Sequence, residues 1–245
     1  MVINDKVVFI PIPKNASWSV EDTCIKYGFD LKYRNVLWEN SIKLNINNKG
    51  KHIHSTVDNL LSSFGNQYDY TCIIRNSTDR FISAWRFFIS AMEAELNDIS
   101  VSNKIKKLDN SFVIEFIKEN YLKLPSSYNS IQSSTELLMI LLDKMKIKNN
   151  LIIDSNFNHR YSAHIVTFIS QYQWIYNNSV TIKQFSFEKL NEFEEYISDK
   201  LNVEFKLIHQ NKTKLDYCAV TKTDELISFV DRYIDGMYKS NKSII

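Results

Sequence analysis

Glycine and proline are scarce, with four and three copies in 245 residues, and nowhere do turn-formers meet a low-complexity stretch. That leaves no linker and no internal repeat, so a single domain over residues 1–245 is the expectation. Cysteine is equally sparse. Cys24, Cys72 and Cys218 lie far apart with no metal-ligand spacing, which reads as reduced core or near-core thiols rather than a disulfide scaffold. No apolar run approaches the length of a bilayer span, and the start lacks a basic segment followed by an apolar stretch and a small-residue cleavage site. A soluble protein without a membrane span is expected. A strong excess of one charge is lacking too. The formal net charge of +2 argues against a general nucleic-acid surface, while a local basic pocket for a small polyanion stays compatible with it.

What is present is enough apolar material, 44% of residues against 24% charged, to bury one sizeable core. Val7-Val8-Phe9-Ile10 is an apolar strand passing into a short turn and then a helix over Ser17 to Tyr27, with Gly28 as its natural stop. Asp30 to Ser55 is polar, rich in Asn and Lys, and reads as irregular. Tyr70 to Arg75 has the pattern of a buried parallel strand whose carboxyl end reaches a site. Asn76 to Asp79 reads as a turn. From Arg80 onward the spacing of Phe81, Ile82, Trp85, Phe88, Ile89 and Met92 predicts a long amphipathic helix. Further helices are predicted over Ser111 to Tyr121, Ser133 to Lys146, Phe187 to Leu201 and Thr223 to Tyr238, with a strand over Val180 to Phe185. Strands alternating with helices imply an α/β fold of three layers, a central parallel sheet flanked by helices.

The first strand-to-helix corner, Pro13-Lys14-Asn15-Ala16-Ser17-Trp18-Ser19, has the chemistry of an anion site. Amide groups at a helix start have no intrahelical acceptor and carry the positive end of the dipole, and Lys14, Ser17 and Ser19 add a charge and two hydroxyl donors. The corner is not a Walker A sequence, which removes the main support for an ordinary ATPase or GTPase. A second corner, Arg75-Asn76-Ser77-Thr78-Asp79-Arg80-Phe81-Ile82-Ser83, sets a strand-end Arg ahead of a helical Ser. Two such corners at the carboxyl edge of one sheet suit a ligand with phosphates at two separated positions. Asn15-Ala16-Ser17 and Asn76-Ser77-Thr78 would be glycosylation acceptors in a secretory lumen. Both fall within these corners, so a cytoplasmic location is expected.

These two corners resemble the phosphate-binding loops of sulfotransferases that use 3′-phosphoadenosine 5′-phosphosulfate (PAPS). Within that family they are similar to the carbohydrate group that includes heparan sulfate 2-O-sulfotransferase. Lys51-His52-Ile53-His54-Ser55 is similar to the His-x-His element of that branch, Phe185-Ser186-Phe187-Glu188-Lys189-Leu190 to its strand followed by Glu-x-Leu, and His209-Gln210-Asn211-Lys212-Thr213 to a late polar loop near the nucleotide. Two departures stand out. Asn76-Ser77 replaces the usual Asp-Pro, and Trp18 fills a position normally held by a small residue or Thr.

The resemblance implies a P-loop-like sulfotransferase fold without a Walker A sequence, acting as an enzyme that moves a sulfuryl group from PAPS to a hydroxyl of a carbohydrate, glycosylated or other small acceptor. Adenosine 3′,5′-bisphosphate would be the product and no metal would be needed. It implies that Lys14 contacts the 5′-phosphate and the bridging oxygen, that Asn15, Ala16, Ser17, Trp18 and Ser19 surround the phosphosulfate, and that Arg75 and Ser83 hold the 3′-phosphate with Arg80 beside them. Lys212 would approach the nucleotide. His54 is the first candidate for general base and His52 the second, since imidazole titrates near neutrality. Read as metal ligands, the two histidines lack a third protein partner nearby. His159, Arg160 and His164 precede an aromatic stretch, Phe168 to Tyr176, that either lines an acceptor pocket or belongs to a packed helix. The competing functions are a nucleotide or small-molecule kinase, which needs Mg²⁺, and a non-catalytic nucleotide-binding protein of the same fold.

Overall fold

The computed structural model describes residues 1–32, 55–96, 99–121, 140–146, 168, 170–176, 179–208 and 218–236. In chain order the elements are β1 (Val2–Ile3), β2 (Val7–Phe9), α1 (Ser17–Lys26), β3 (Leu31–Lys32), α2 (Val57–Phe64), β4 (Asp69–Ile74), α3 (Ser77–Leu96), α4 (Ile99–Lys106) and α5 (Asn110–Phe116), which runs into a π-helical turn, Ile117–Tyr121. Then come α6 (Gln171–Ile175), β5 (Ile182–Ser186), a 3₁₀ turn at Phe187–Lys189, α7 (Leu190–Leu201) and α8 (Asp224–Phe229), followed by a second π-helical turn at Val230–Asp235. Among the described residues no helix is long and apolar enough to cross a membrane. The chain divides into two compact units, residues 1–76, 170–212 and 238–245 in one and 77–169 and 213–237 in the other.

The first unit is α/β. Its five-stranded sheet has the order β3-β1-β2-β4-β5. The expectation of a parallel sheet is corrected here: β2, β4 and β5 run parallel, but β1 lies antiparallel to both β2 and β3. The cause is local. Asn4 and Asp5 both take left-handed backbone angles, φ 47° and 53°, and reverse the chain within a few residues, and a tight reversal can only deliver an antiparallel neighbour. Leu31–Lys32 is likewise a short strand where the sequence reads as irregular.

The core of this unit forms where helix spacing meets strand alternation. Val20 and Cys24 of α1 are one helical turn apart, as are Phe193, Ile197 and Leu201 of α7, and all five are buried with Phe9, Ile73, Phe185 and Phe205. The Phe193 ring meets Phe9, Phe185 and Phe205 with centroids 5.7, 5.4 and 6.2 Å away. Gly28, at φ 69°, provides the left-handed stop after α1.

The second unit, taken by itself, is helical. Helix α3 begins at Ser77 rather than at Arg80, so of the segment read as a turn only Asn76 lies outside the helix. Phe81, Trp85, Phe88 and Ile89 point inward as their spacing predicts and are buried with Phe116, Phe168 and Phe229. Asn110 ties two helix starts together, its Nδ2 donating to the Thr221 carbonyl and to Thr223 Oγ1 at 2.9 and 2.7 Å.

Candidate functional site

Because β2, β4 and β5 are parallel, their carboxyl ends share one edge of the sheet, where residues 10–16, 75–76 and 187–189 leave it. Pairing of β2 with β4 ends at Phe9 opposite Thr71, and the Ile10 N–H donates the last bond to the Thr71 carbonyl at 2.8 Å. Peptide groups of an extended strand point alternately to its two sides, so Ile73 and Arg75 face the space that β2 has just vacated.

Two side-chain amides fill that space. Asn15 Nδ2 donates to the Ile73 carbonyl at 2.8 Å and to Gln171 Oε1 at 3.0 Å. The same Gln171 oxygen accepts the Arg75 N–H at 3.1 Å, while Gln171 Nε2 donates to the Arg75 carbonyl at 2.7 Å. Asn15 and Gln171 are 1% and 0% exposed; the bond to the Ile73 carbonyl is buried and those to the Arg75 peptide are part-buried, so the two amides satisfy backbone groups that the departed strand leaves open. Arg75 answers across the gap, its Nη1 donating to the Lys14 carbonyl at 3.4 Å. Lys14 and Arg75, which the sequence assigns to opposite ends of one ligand, therefore stand at adjacent strand exits.

The loop carrying Lys14 is bent in an unusual way. Lys14 and Ala16 both have left-handed φ, 67° and 59°, with Asn15 between them on the ordinary negative side. Each costs a residue with a Cβ roughly 1–2 kcal/mol. Alternation of this kind turns successive N–H groups toward one point and makes a concavity that suits an anion. Ala16 is also the N-cap of α1 and gives it no side-chain capping bond, and the first turn of α1 has no acidic residue. Ser17 Oγ is buried without a hydrogen-bond partner among the described residues, as is Asn15 Oδ1. A buried hydroxyl left unsatisfied at an uncapped helix start fits an anionic group arriving there.

At the third exit the Arg75 guanidinium sits over the Phe187 ring, 4.5 Å from its centroid. Glu188 lies beside it, its Oε1 accepting the Asn76 N–H at 3.3 Å and its other oxygen bonded to the Ser186 hydroxyl. Partial burial pushes the Glu188 carboxyl up, but the Ser186 hydroxyl, its own N–H, the Asn76 N–H and the Arg75 charge together hold it below its ordinary value. Two cationic residues, Lys14 and Arg75, thus belong to adjacent exits of this edge, and the Glu188 carboxylate lies close to the second.

The remaining residues singled out from the sequence divide by location. Ser19 is buried on α1, where its carbonyl accepts the Thr23 hydroxyl at 2.5 Å, and Trp18 is half exposed. Arg80, buried, and Ser83, partly buried, belong to α3 of the second unit. His52, His54, His159, Arg160, His164 and Lys212 lie outside the described residues. Phe168 is a core residue of the second unit and Trp174 is buried on α6, so these two aromatics are packed. Among the described residues no three His, Cys, Asp or Glu gather as a metal-ligand set.

Gln171 is the residue that sequence reasoning missed. Its only local signal is Ser170, whose hydroxyl accepts the Tyr172 N–H at 3.2 Å and starts α6. Its partners are distant in the chain, with a separation of 96 to Arg75 and 156 to Asn15. Compared with family models, with characterised proteins and with solved structures, the chain matches none.

Proposed function

We propose that this chain transfers a sulfuryl group from PAPS to a hydroxyl of a carbohydrate or other small acceptor, on a three-layer scaffold of the P-loop-like sulfotransferase type. The observation that carries the proposal is the pairing of the two strand exits. The bent Lys14-Asn15-Ala16 loop, with its uncapped helix and buried Ser17 hydroxyl, is held by buried amides against the exit that bears Arg75. One exit suits a phosphosulfate and the other a second phosphate, which is the charge pattern of this donor.

In that reading the acceptor oxygen attacks sulfur as the bond from sulfur to the bridging phosphate oxygen breaks. Lys14 and the loop N–H groups stabilise the charge left on the 5′-phosphate. The acceptor proton passes to an imidazole, assigned to His54 or else His52. Adenosine 3′,5′-bisphosphate departs.

Calorimetric titration with adenosine 3′,5′-bisphosphate, followed by a transfer assay with labelled PAPS over pooled glycans and phenols in EDTA, tests the proposal. Saturable binding and metal-independent labelling are expected. Absence of binding at millimolar nucleotide overturns it. Strict dependence of turnover on Mg²⁺ moves the assignment to phosphoryl transfer.

A further inference from the structure

Gln171 is fully buried, and its amide bonds the Asn15 side chain and both the N–H and the C=O of Arg75, at the gap between the β2 and β4 exits. The pattern is that of a missing strand. Where β2 has turned away, the amide takes both the N–H and the C=O of Arg75, as a neighbouring peptide group would, and its oxygen also holds the side chain that locks the Lys14 loop. Asn15 has a second anchor in the Ile73 carbonyl, and both the N–H and the C=O of Arg75 are bonded to Gln171. The amide is itself well fixed, because Ser170 caps α6 and Trp174 and Ile175 bury its inner face.

We infer that Gln171 is a positioning residue that sets the spacing of the two anion-binding exits and thereby selects a ligand carrying two anionic groups over one carrying a single group. It touches neither group and acts through Asn15 and the Arg75 main chain. This inference rests on the function proposed above, and the following experiment separates the two.

Affinities for adenosine 3′,5′-bisphosphate and adenosine 5′-monophosphate are measured by calorimetry on the full chain, and their ratio is the readout. Loss of folded protein weakens both ligands alike and leaves the ratio unmoved, so a core variant, Phe193→Leu, is the control for simple destabilisation. The wild type is expected to favour the bisphosphate by at least about tenfold, as for one charge-assisted hydrogen bond. Gln171→Ala is expected to lose most of that preference. Gln171→Glu, which still accepts from Asn15 and the Arg75 N–H but cannot donate to the Arg75 carbonyl, is expected to fall between. A wild-type ratio in folded Gln171→Ala, or in Gln171→Glu should the alanine variant not fold, overturns the inference while leaving the proposed function standing. A wild type that binds neither nucleotide removes both.

Discussion

The guanidinium carbon of Arg75 stands 4.5 Å from the centroid of the Phe187 ring, which braces the cation from the carboxyl end of the neighbouring strand. A planar guanidinium supported on one face and bonded to the Lys14 carbonyl is held in a fixed orientation, which suits a phosphate better than a mobile point charge does. Arg75→Ala is expected to weaken adenosine 3′,5′-bisphosphate binding by about 10–100-fold, the range of a charge-assisted hydrogen bond lost, and Arg75→Lys to recover only part of it. Calorimetry on the two variants decides it. Full recovery by lysine would show that charge alone matters at this position.

Glu188 sits beside that same guanidinium and carries a folded-state carboxyl below its ordinary value of 4.5. Its contribution to stability is present above the unfolded value and is lost as pH falls below about 4.5 and through the lower folded value. Glu188→Gln is therefore expected to flatten the acid limb of the melting-temperature profile. It should also tighten nucleotide binding, because it removes a negative charge from beside Arg75. Melting curves from pH 3 to 7 and one titration at neutral pH check both effects. Weaker binding in the glutamine variant would contradict the placement of an anion at this exit.

His54→Ala is expected to lower sulfuryl transfer by about 10²–10⁴-fold while leaving nucleotide affinity within a factor of a few, the signature of a lost general base. The same substitution at His52 should cost less. If the two effects are exchanged, the base is His52. If neither variant loses turnover, proton removal is not the role of this element.

Cys24 packs in the core of the first unit, and burial, reinforced by the Glu21 charge, pushes its thiol up to about 12. Almost no thiolate exists at pH 8, and the thiolate is the species that reacts. A maleimide should leave Cys24 unmodified in the native protein for hours and label it within minutes in guanidinium chloride, read by peptide mass spectrometry. Fast native labelling would mean that this core opens readily.

Legibility of the fold followed segment length and locality. β2 and β4 stand out as apolar runs, and α3 reveals itself by helical spacing, because each signal lies within a dozen residues. β1 and β3 are two residues each and exist only because a neighbour accepts their backbone bonds, so no periodicity exposes them. The start of α3 was hidden by Asn76-Ser77-Thr78-Asp79, residues that favour turns and helix starts alike. The position of Lys14 and Arg75 at strand exits is legible from their place after apolar runs. Gln171 is not, because a buried amide is recognised by what it bonds across the fold, and residue type alone says nothing of that.

In a chain with so few glycines, the two left-handed positions of the first loop are filled by Lys14 and Ala16. Glycine would adopt that backbone without strain but would wander among many others, whereas residues with a β-carbon have fewer alternatives to give up. Little ordering entropy then remains to be lost in the anion docking proposed above. Capture should be governed by diffusion and charge, without waiting for the loop to close.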